Sequence, residues 1–230
     1  MEFTFGIITG GNNDSMINEI IDSIENENIP NYEIIIVGES KIFRKNTKII
    51  SFNESIRRAW ITKKKNIITH GAKYDNVVYL HDYIKLNDGW YKGQISSGND
   101  FKIRMDKIIN LNGERFRDWC IWPHNNNKMD NFIGRDCLIP YDINHLSKYM
   151  YISGSYWIAK KAVMLEFPLD ENLAWGEGED VLWSKQVREK YEFNINTNSS
   201  VFIIKGGKDK VFNEPDKDKI AVLNEINLWI

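Results

Sequence analysis

Three apolar runs, at residues 3–8, 32–37 and 76–80, constrain the fold most strongly. The second is nearly uninterrupted, the pattern of a strand covered on both faces. Between the first two runs, Asn12, Asn13 and Asp14 offer N-caps to a helix. Its apolar stripe is Ile17, Ile20, Ile21 and Ile24, and Pro30 is expected to stop it. Residues 48–52 read as a third, shorter strand. Residues 56–68 read as a helix that turns Ile56, Trp60, Ile61 and Ile67 toward a sheet. The order strand, helix, strand, strand, helix, strand predicts an α/β fold, with a mostly parallel central sheet flanked by helices. Such sheets bind ligands beyond the C-terminal ends of their strands. Those ends are Thr9-Gly10-Gly11, Gly38-Glu39-Ser40 and His81-Asp82-Tyr83.

The second half is less regular. A short helix is expected at 89–97, a strand at 101–110, a loop at 113–131, a strand at 151–159 and a helical turn at 160–166. A helix at 179–191 carries the stripe Asp180, Trp183, Val187 and Tyr191. A strand at 201–204 runs into Lys205-Gly206-Gly207. A capping helix at 214–229 points Ile220, Leu223 and Ile226 inward. With no repeat, linker or low-complexity tract, residues 1–230 read as one domain.

Composition narrows the function classes. A hydrophobic content of 42% supports a packed core. A net charge of −2 gives no general attraction to nucleic acid or acidic membranes, so neither is expected as a partner. Cys120 and Cys137 lack Cys-x-x-Cys spacing and read as free thiols of a reducing compartment. The chain enters a strand at once, without a basic or apolar leader, and no stretch can span a bilayer. These readings predict a soluble, cytoplasmic protein. The eight Trp and ten Tyr side chains suit sugar faces, although most should be core. Walker A, G-x-G-x-x-G, G-x-S-x-G and H-E-x-x-H signatures are missing.

Asp82 follows four apolar strand residues, at the mouth of the sheet. One reading is a strand-end carboxylate capping a loop. The other is a ligand for Mg²⁺ or Mn²⁺ that neutralises a diphosphate. His81 could assist as a neutral imidazole. Glu179 and Asp180 open a helix, where carboxylates suit the dipole without any further role. The stripe places Asp180 with Trp183 and Val187 on the buried face, and turns Glu179 about 100° away. Asp180 is therefore expected to point into a cleft, where it can act as a general base. Arg104, Arg115 and Arg117 read as surface residues, though they could grip an anion. His124 and His145 have no assignable role.

Taken together, His81-Asp82-Tyr83, Ile152-Ser153-Gly154-Ser155 and Trp175-Gly176-Glu177-Gly178-Glu179-Asp180 resemble the working parts of GT-A-fold glycosyltransferases. The acceptor half is similar to family 2 and galactosyltransferase-type enzymes. The resemblance implies a GT-A fold with a smaller acceptor-side sheet and a C-terminal helix. Residues 1–100 would form the nucleotide-binding half and 101–230 the acceptor-binding half. It implies transfer from a nucleotide-diphosphate sugar, most of all a UDP-sugar, to a hydroxyl of a glycan, glycoprotein or other acceptor, with inversion. Asp180 would be the base and Glu179 would hold the acceptor. Trp175, Gly154, Ser155 and Gly178 would meet the sugars. Thr9, Gly10, Gly11, Glu39, Lys65, Asn66, His81 and Asp82 would contact the nucleotide. Asp82 would also hold the divalent cation. The chain departs from the D-x-D pattern, in which the outer positions are acidic. It also carries Lys205 where many relatives place a metal-binding His, and an ammonium there would pair directly with the diphosphate.

Two rivals remain at this stage. One is a non-catalytic carbohydrate- or nucleotide-sugar-binding protein with this fold, suggested by the altered D-x-D element. The other is a sugar nucleotidyltransferase, disfavoured because Gly10-Gly11 is followed by Asn12-Asn13-Asp14 without a basic residue.

Overall fold

A computed structural model of the protein describes residues 1–121, 137–143, 150–206 and 221. The elements are β1 (Phe3–Ile8), α1 (Asp14–Asn26), β2 (Tyr32–Val37), β3 (Thr47–Ile50), α2 (Ile61–Gly71), β4 (Asn76–His81), β5 (Ile84–Leu86), α3 (Trp90–Ser96), β6 (Ile103–Ile109), β7 (Cys120–Ile121), β8 (Cys137–Leu138), β9 (Met150–Tyr151), β10 (Tyr156–Lys160), α4 (Lys161–Glu166), α5 (Glu179–Val187) and β11 (Phe193–Ile203).

The large sheet has the order β3-β2-β1-β4-β10-β6-β11-β5. Strands β3, β2, β1 and β4 run parallel, so the ends of β1, β2 and β4 share one edge. Strand β10 enters antiparallel between β4 and β6, and β11 runs parallel to β6. A smaller sheet, β8-β7-β9, stands apart from it. The architecture is the expected mostly parallel α/β sheet with a small second sheet.

The buried stripe of α1 is Ile17, Ile20, Ile21 and Ile24, as its spacing requires. The helix ends at Asn26, before Pro30 can act, because Asn28 takes a left-handed conformation and the last carbonyls are capped from Glu27 and Asn28. Helix α2 starts at Ile61, not at residue 56. Ala59 has φ +54° and Trp60 is extended out of the helical region, so residues 56–60 form a loop that exposes Ile56. Arg57 and Trp60 tie this loop to the carbonyls of Glu171 and Asn172. The strand expected at 151–159 is two strands in different sheets, separated by a turn at Ser153-Gly154-Ser155. Within the region expected to be a loop, Cys120–Ile121 forms β7. The strand expected at 201–204 is the end of an eleven-residue strand whose polar interior hides its period. Helix α5 stops at Val187 rather than at 191. Apart from Ala221, the capping helix expected at 214–229 lies outside the described residues, as do Gly207, His124 and His145.

Packing across β4 and β10 is aromatic. Tyr79 and Trp157 are register partners with ring centroids 4.6 Å apart, and Trp183 of α5 closes over Trp157 at 6.1 Å. A buried polar network joins α3 to β6 and β10. Asp106 accepts hydrogen bonds from Trp90 Nε1 (2.8 Å), Gln94 Nε2 (2.7 Å) and the Tyr156 hydroxyl. Arg104, expected at the surface, is buried beside it and bonds Asn194, Gln94 and the carbonyls of Ser97 and Gly98. Arg115 is likewise structural, pairing with buried Asp118 at 2.8 Å.

Burial raises the Asp106 carboxyl to about 6, against the lowering pull of its three donors. The folded chain then binds more protons than the unfolded chain between pH 3.8 and about 6. This contribution to stability is full below that window and is lost as pH rises through it. The stability of the wild type relative to Asp106→Asn should therefore fall by about 2–3 kcal/mol across the window. Urea unfolding of both proteins at several pH values measures it; a constant difference would refute the assignment.

Candidate active site at the strand ends

The loop after β1 and the end of β4 meet at Asp82. Its Oδ2 accepts hydrogen bonds from Thr9 Oγ1 (2.6 Å) and Asn13 Nδ2 (2.5 Å), and Thr9 Oγ1 accepts from the Gly11 amide at 3.1 Å. The Thr9 carbonyl accepts from buried Lys64 Nζ at 2.6 Å, and Lys64 also pairs with Glu54. A charged pair and a hydroxyl thus fix both ends of Thr9, which in turn aims Asp82. His81 lies edge-on to Tyr83, with centroids 5.3 Å apart. Thr9, Glu54, Lys64, His81 and Asp82, with Gly10, Gly11, Ser55, Arg58 and Trp175, line a cleft of about 540 Å³.

A second cavity of about 340 Å³ is lined by Arg117, Tyr151, Gly178, Glu179, Asp180 and Leu182, among others, and again by Trp175. The exposed Trp175 ring therefore borders both spaces. The Trp175 amide donates to the Ala59 carbonyl at 3.1 Å, which docks this turn on the loop before α2.

Helix α5 begins beneath the second cavity. Asp180 Oδ2 accepts from the Gly154 amide at 2.9 Å and Oδ1 from the Val181 amide at 2.9 Å. The burial order expected from helical period is reversed: Glu179 is buried and Asp180 is half-buried. The stripe of this nine-residue helix runs through Glu179, Trp183, Ser184 and Val187, and Asp180 flanks it at the rim of the cavity. Burial raises the Glu179 carboxyl and the Asp180 charge raises it further, while Lys65 and Arg117 oppose the shift.

Lys65 and Asn66 are not placed to hold a nucleotide. Asn66 clasps the Leu169 backbone through both its amide groups, and Lys65 is fully buried with its ammonium on the Gly154 carbonyl at 2.6 Å. One residue is about 100° on a helix, so Lys64 rather than Lys65 faces the cleft. Glu39 is exposed and lines a separate polar cleft with Asn12, Asp14 and Ser40. Ser155 turns its hydroxyl to Ser153 at 2.8 Å and gives its carbonyl to the His81 amide at 3.0 Å. Lys205 stands with Nζ 5.7 Å from the Tyr83 ring, because the Ile204 amide bonds the Tyr83 carbonyl at 2.9 Å. Arg117 was not separable in the sequence from Arg104 and Arg115. Of the three, it is the one that lines the second cavity, and its charge acts on both Tyr83 and Glu179.

Among the described residues no group of three or more His, Cys, Asp or Glu side chains is gathered for a metal ion. Asp82 offers one carboxylate. That suits a cation that completes its shell with phosphate oxygens and water, rather than one caged by protein. Among the same residues no helix is long and apolar enough to cross a membrane.

No protein-family model and no curated protein matches the chain significantly in sequence. Solved structures do match. The likeness to S. aureus TarS 1-349 has a TM-score of 0.54 at 13% identity and covers 98% of this chain and 64% of that one. The same TarS fragment in complex with UDP-GlcNAc gives 0.59 at 12%, over 97% and 65%. GalNAc-T7, solved with UDP, GalNAc and Mn²⁺, gives 0.66 at 13%, over 98% and 48%. The chain has a GT-A-like glycosyltransferase fold. It spans less than two thirds of the length of each of these chains.

Gly38 joins the site to the sheet. A Cβ there would lie 2.3 Å from the Thr9 carbonyl oxygen, at φ +140°, where the neighbour is backbone and cannot swing away. Gly38→Ala should cost about 2–4 kcal/mol of stability, read from urea unfolding. A loss below about 0.5 kcal/mol would show that Thr9 is not fixed as described.

Proposed function

We propose that this chain transfers a sugar from a nucleotide-diphosphate sugar, a UDP-sugar foremost, to an acceptor hydroxyl, with inversion at the anomeric carbon. The carrying observation is that the cleft holding Asp82 adjoins the cavity holding Asp180, with Trp175 bordering both. Two structures of the same fold, those with UDP-GlcNAc and with UDP and Mn²⁺, support the donor class. The nucleotide and diphosphate would lie over Thr9, Gly10 and Gly11, in the part formed by residues 1–100, and the sugar would reach toward Trp175. The acceptor would enter from the part formed by 101–230, between Trp175 and α5.

Asp180 is half-buried at the rim of the acceptor cavity, and two backbone amides fix its oxygens. It takes the proton of the acceptor hydroxyl as that oxygen attacks the anomeric carbon. The bond from that carbon to the diphosphate oxygen breaks in line, and the pair of electrons leaves with the nucleotide. Lys205, held above Tyr83, meets the charge that develops on the diphosphate. Glu179 holds an acceptor hydroxyl beside Asp180. A divalent cation, when bound with the donor, would be held by Asp82 and would supply further charge neutralisation. Thr9, Asn13 and Lys64 keep Asp82 in place for either task.

Asp180→Asn should lower sugar transfer at least a thousandfold while leaving UDP-sugar binding within about twofold, because the base acts only as the bond forms. Steady-state assays with a panel of UDP-sugars and sugar acceptors, paired with calorimetry, measure both quantities. Full turnover by Asp180→Asn removes it from the mechanism. A non-catalytic binding role is the second reading, because a single carboxylate remains at positions 81–83. Binding without transfer or donor hydrolysis in the wild type would favour it.

UDP-sugars should raise the melting temperature, and more so with Mn²⁺, by mass action on the native state. A shift with GDP- or CDP-sugars instead would correct the nucleotide. An equal shift with and without metal would remove the cation.

A further inference from the structure

The mechanism leaves the buried ammonium of Lys65 unused. Lys65 on α2 is 1% exposed and lies on the far side of Gly154 from the cavity carboxylates. Its Nζ donates to the Gly154 carbonyl at 2.6 Å and stands 4.5 Å from the centroid of the Trp157 ring. The amide of the same glycine donates to Asp180 Oδ2 at 2.9 Å. A Cβ on residue 154 would come within 3.0 Å of both Asp180 Oδ2 and Glu179 Oε1. A side chain at residue 154 would therefore press on both carboxylates.

We propose that Lys65 is a positioning residue, which clamps Gly154 against Asp180 and supplies the counter-charge that faces Glu179 and Asp180. The proposal rests on the reading of Asp180 as the base. Its physical content is separate: the Gly154 carbonyl and the Trp157 face offset part of the desolvation of this buried ammonium, and the nearby carboxylates offset more. The groups facing it are few. Glu179 and Asp180 act on Lys65 from α5, and both favour its charge. It meets the Gly154 carbonyl from the turn before β10 and the Trp157 ring from β10, with Tyr79 stacked behind. On α2 its own carbonyl accepts from Thr69, and neighbouring Lys64 turns away to Thr9 and Glu54. Arg117 favours the charge of Glu179 as well.

Burial lowers the Lys65 ammonium to about 8, with the two carboxylates opposing that shift. It is therefore still charged at neutral pH, when Asp180 must be unprotonated. In the proposed role, removing the charge makes Glu179 harder to ionise and leaves Asp180 without the cation that faces it. Lys65→Met should move the acidic limb of the pH–rate profile upward by about one unit and lower transfer at pH 7 at least tenfold. UDP-sugar binding should change less than twofold, since Lys65 does not line the donor cleft. A lower rate with an unmoved acidic limb would overturn the proposal, because a merely structural lysine would give that result.

A second measurement needs no activity. Carboxyl ¹³C NMR of Glu179 should show its titration displaced to higher pH in Lys65→Met, and unchanged titration would overturn the proposal. Should Lys65→Met not fold, the reciprocal titration serves: Lys65 Nζ, followed by NMR in Glu179→Gln, should lose its proton at lower pH than in the wild type. An unshifted Lys65 overturns the coupling. If the carboxyl titrations move as stated but Asp180→Asn still transfers sugar, the coupling stands and the functional reading fails.

Discussion

The pairing of β10 with β4 is the constraint on which the site depends. Tyr156 sits opposite Leu80, so the residues just before β10 land beside the residues that end β4. The Ser155 carbonyl takes the His81 amide, and Gly154 is the next residue out. One antiparallel pairing thus brings Asp82, from the parallel half, to the same edge as the glycine that anchors Asp180. Had β10 added to the sheet edge rather than beside β4, the two carboxylates would belong to different parts of the molecule. The stacked Tyr79 and Trp157 rings hold that register, since a one-residue slip of β10 would turn Trp157 to the other face and break the stack.

Around this edge the polar groups are layered by distance from the clefts. Lys64 and Lys65 are adjacent, both buried, and each fixes the backbone carbonyl of a residue that hydrogen-bonds one of the two candidate carboxylates. Lys64 holds Thr9, which aims Asp82; Lys65 holds Gly154, which aims Asp180. Two lysines from one helix turn support the two halves of the site. Each is paired with acidic groups, Glu54 for the first and the α5 carboxylates for the second. Buried ammonium groups are tolerated in this way because hydrogen bonds and opposite charges offset their desolvation.

Much of the first half of the chain was legible in the sequence. The strands at 3–8, 32–37 and 76–81 are apolar enough to leave one reading, and α1 has an unmistakable stripe. The position of Asp82 at the mouth follows from the strand that precedes it. The start of α2 was not legible, because Ile56 and Trp60 have helical spacing, and the strain at Ala59 leaves no mark in composition. Nor was the choice between Lys64 and Lys65: neighbours on a helix differ by a rotation, and only tertiary contacts say which faces the cleft. The same ambiguity reversed Glu179 and Asp180, whose helix is too short for its stripe to be read reliably. Arg117 was hidden among arginines that serve the core, a distinction set by partners distant in sequence, Asn194 for Arg104 and the Ile139 carbonyl for Arg115.

The central claim is that one edge of the sheet holds donor and acceptor chemistry face to face. A crystal structure of the Asp180→Asn protein with a UDP-sugar tests it directly. The account predicts the diphosphate against Thr9, Gly11 and Asp82, with the anomeric carbon turned past Trp175 toward residue 180. A donor bound in the polar cleft of Glu39 and Lys41, or a sugar turned away from α5, would contradict it.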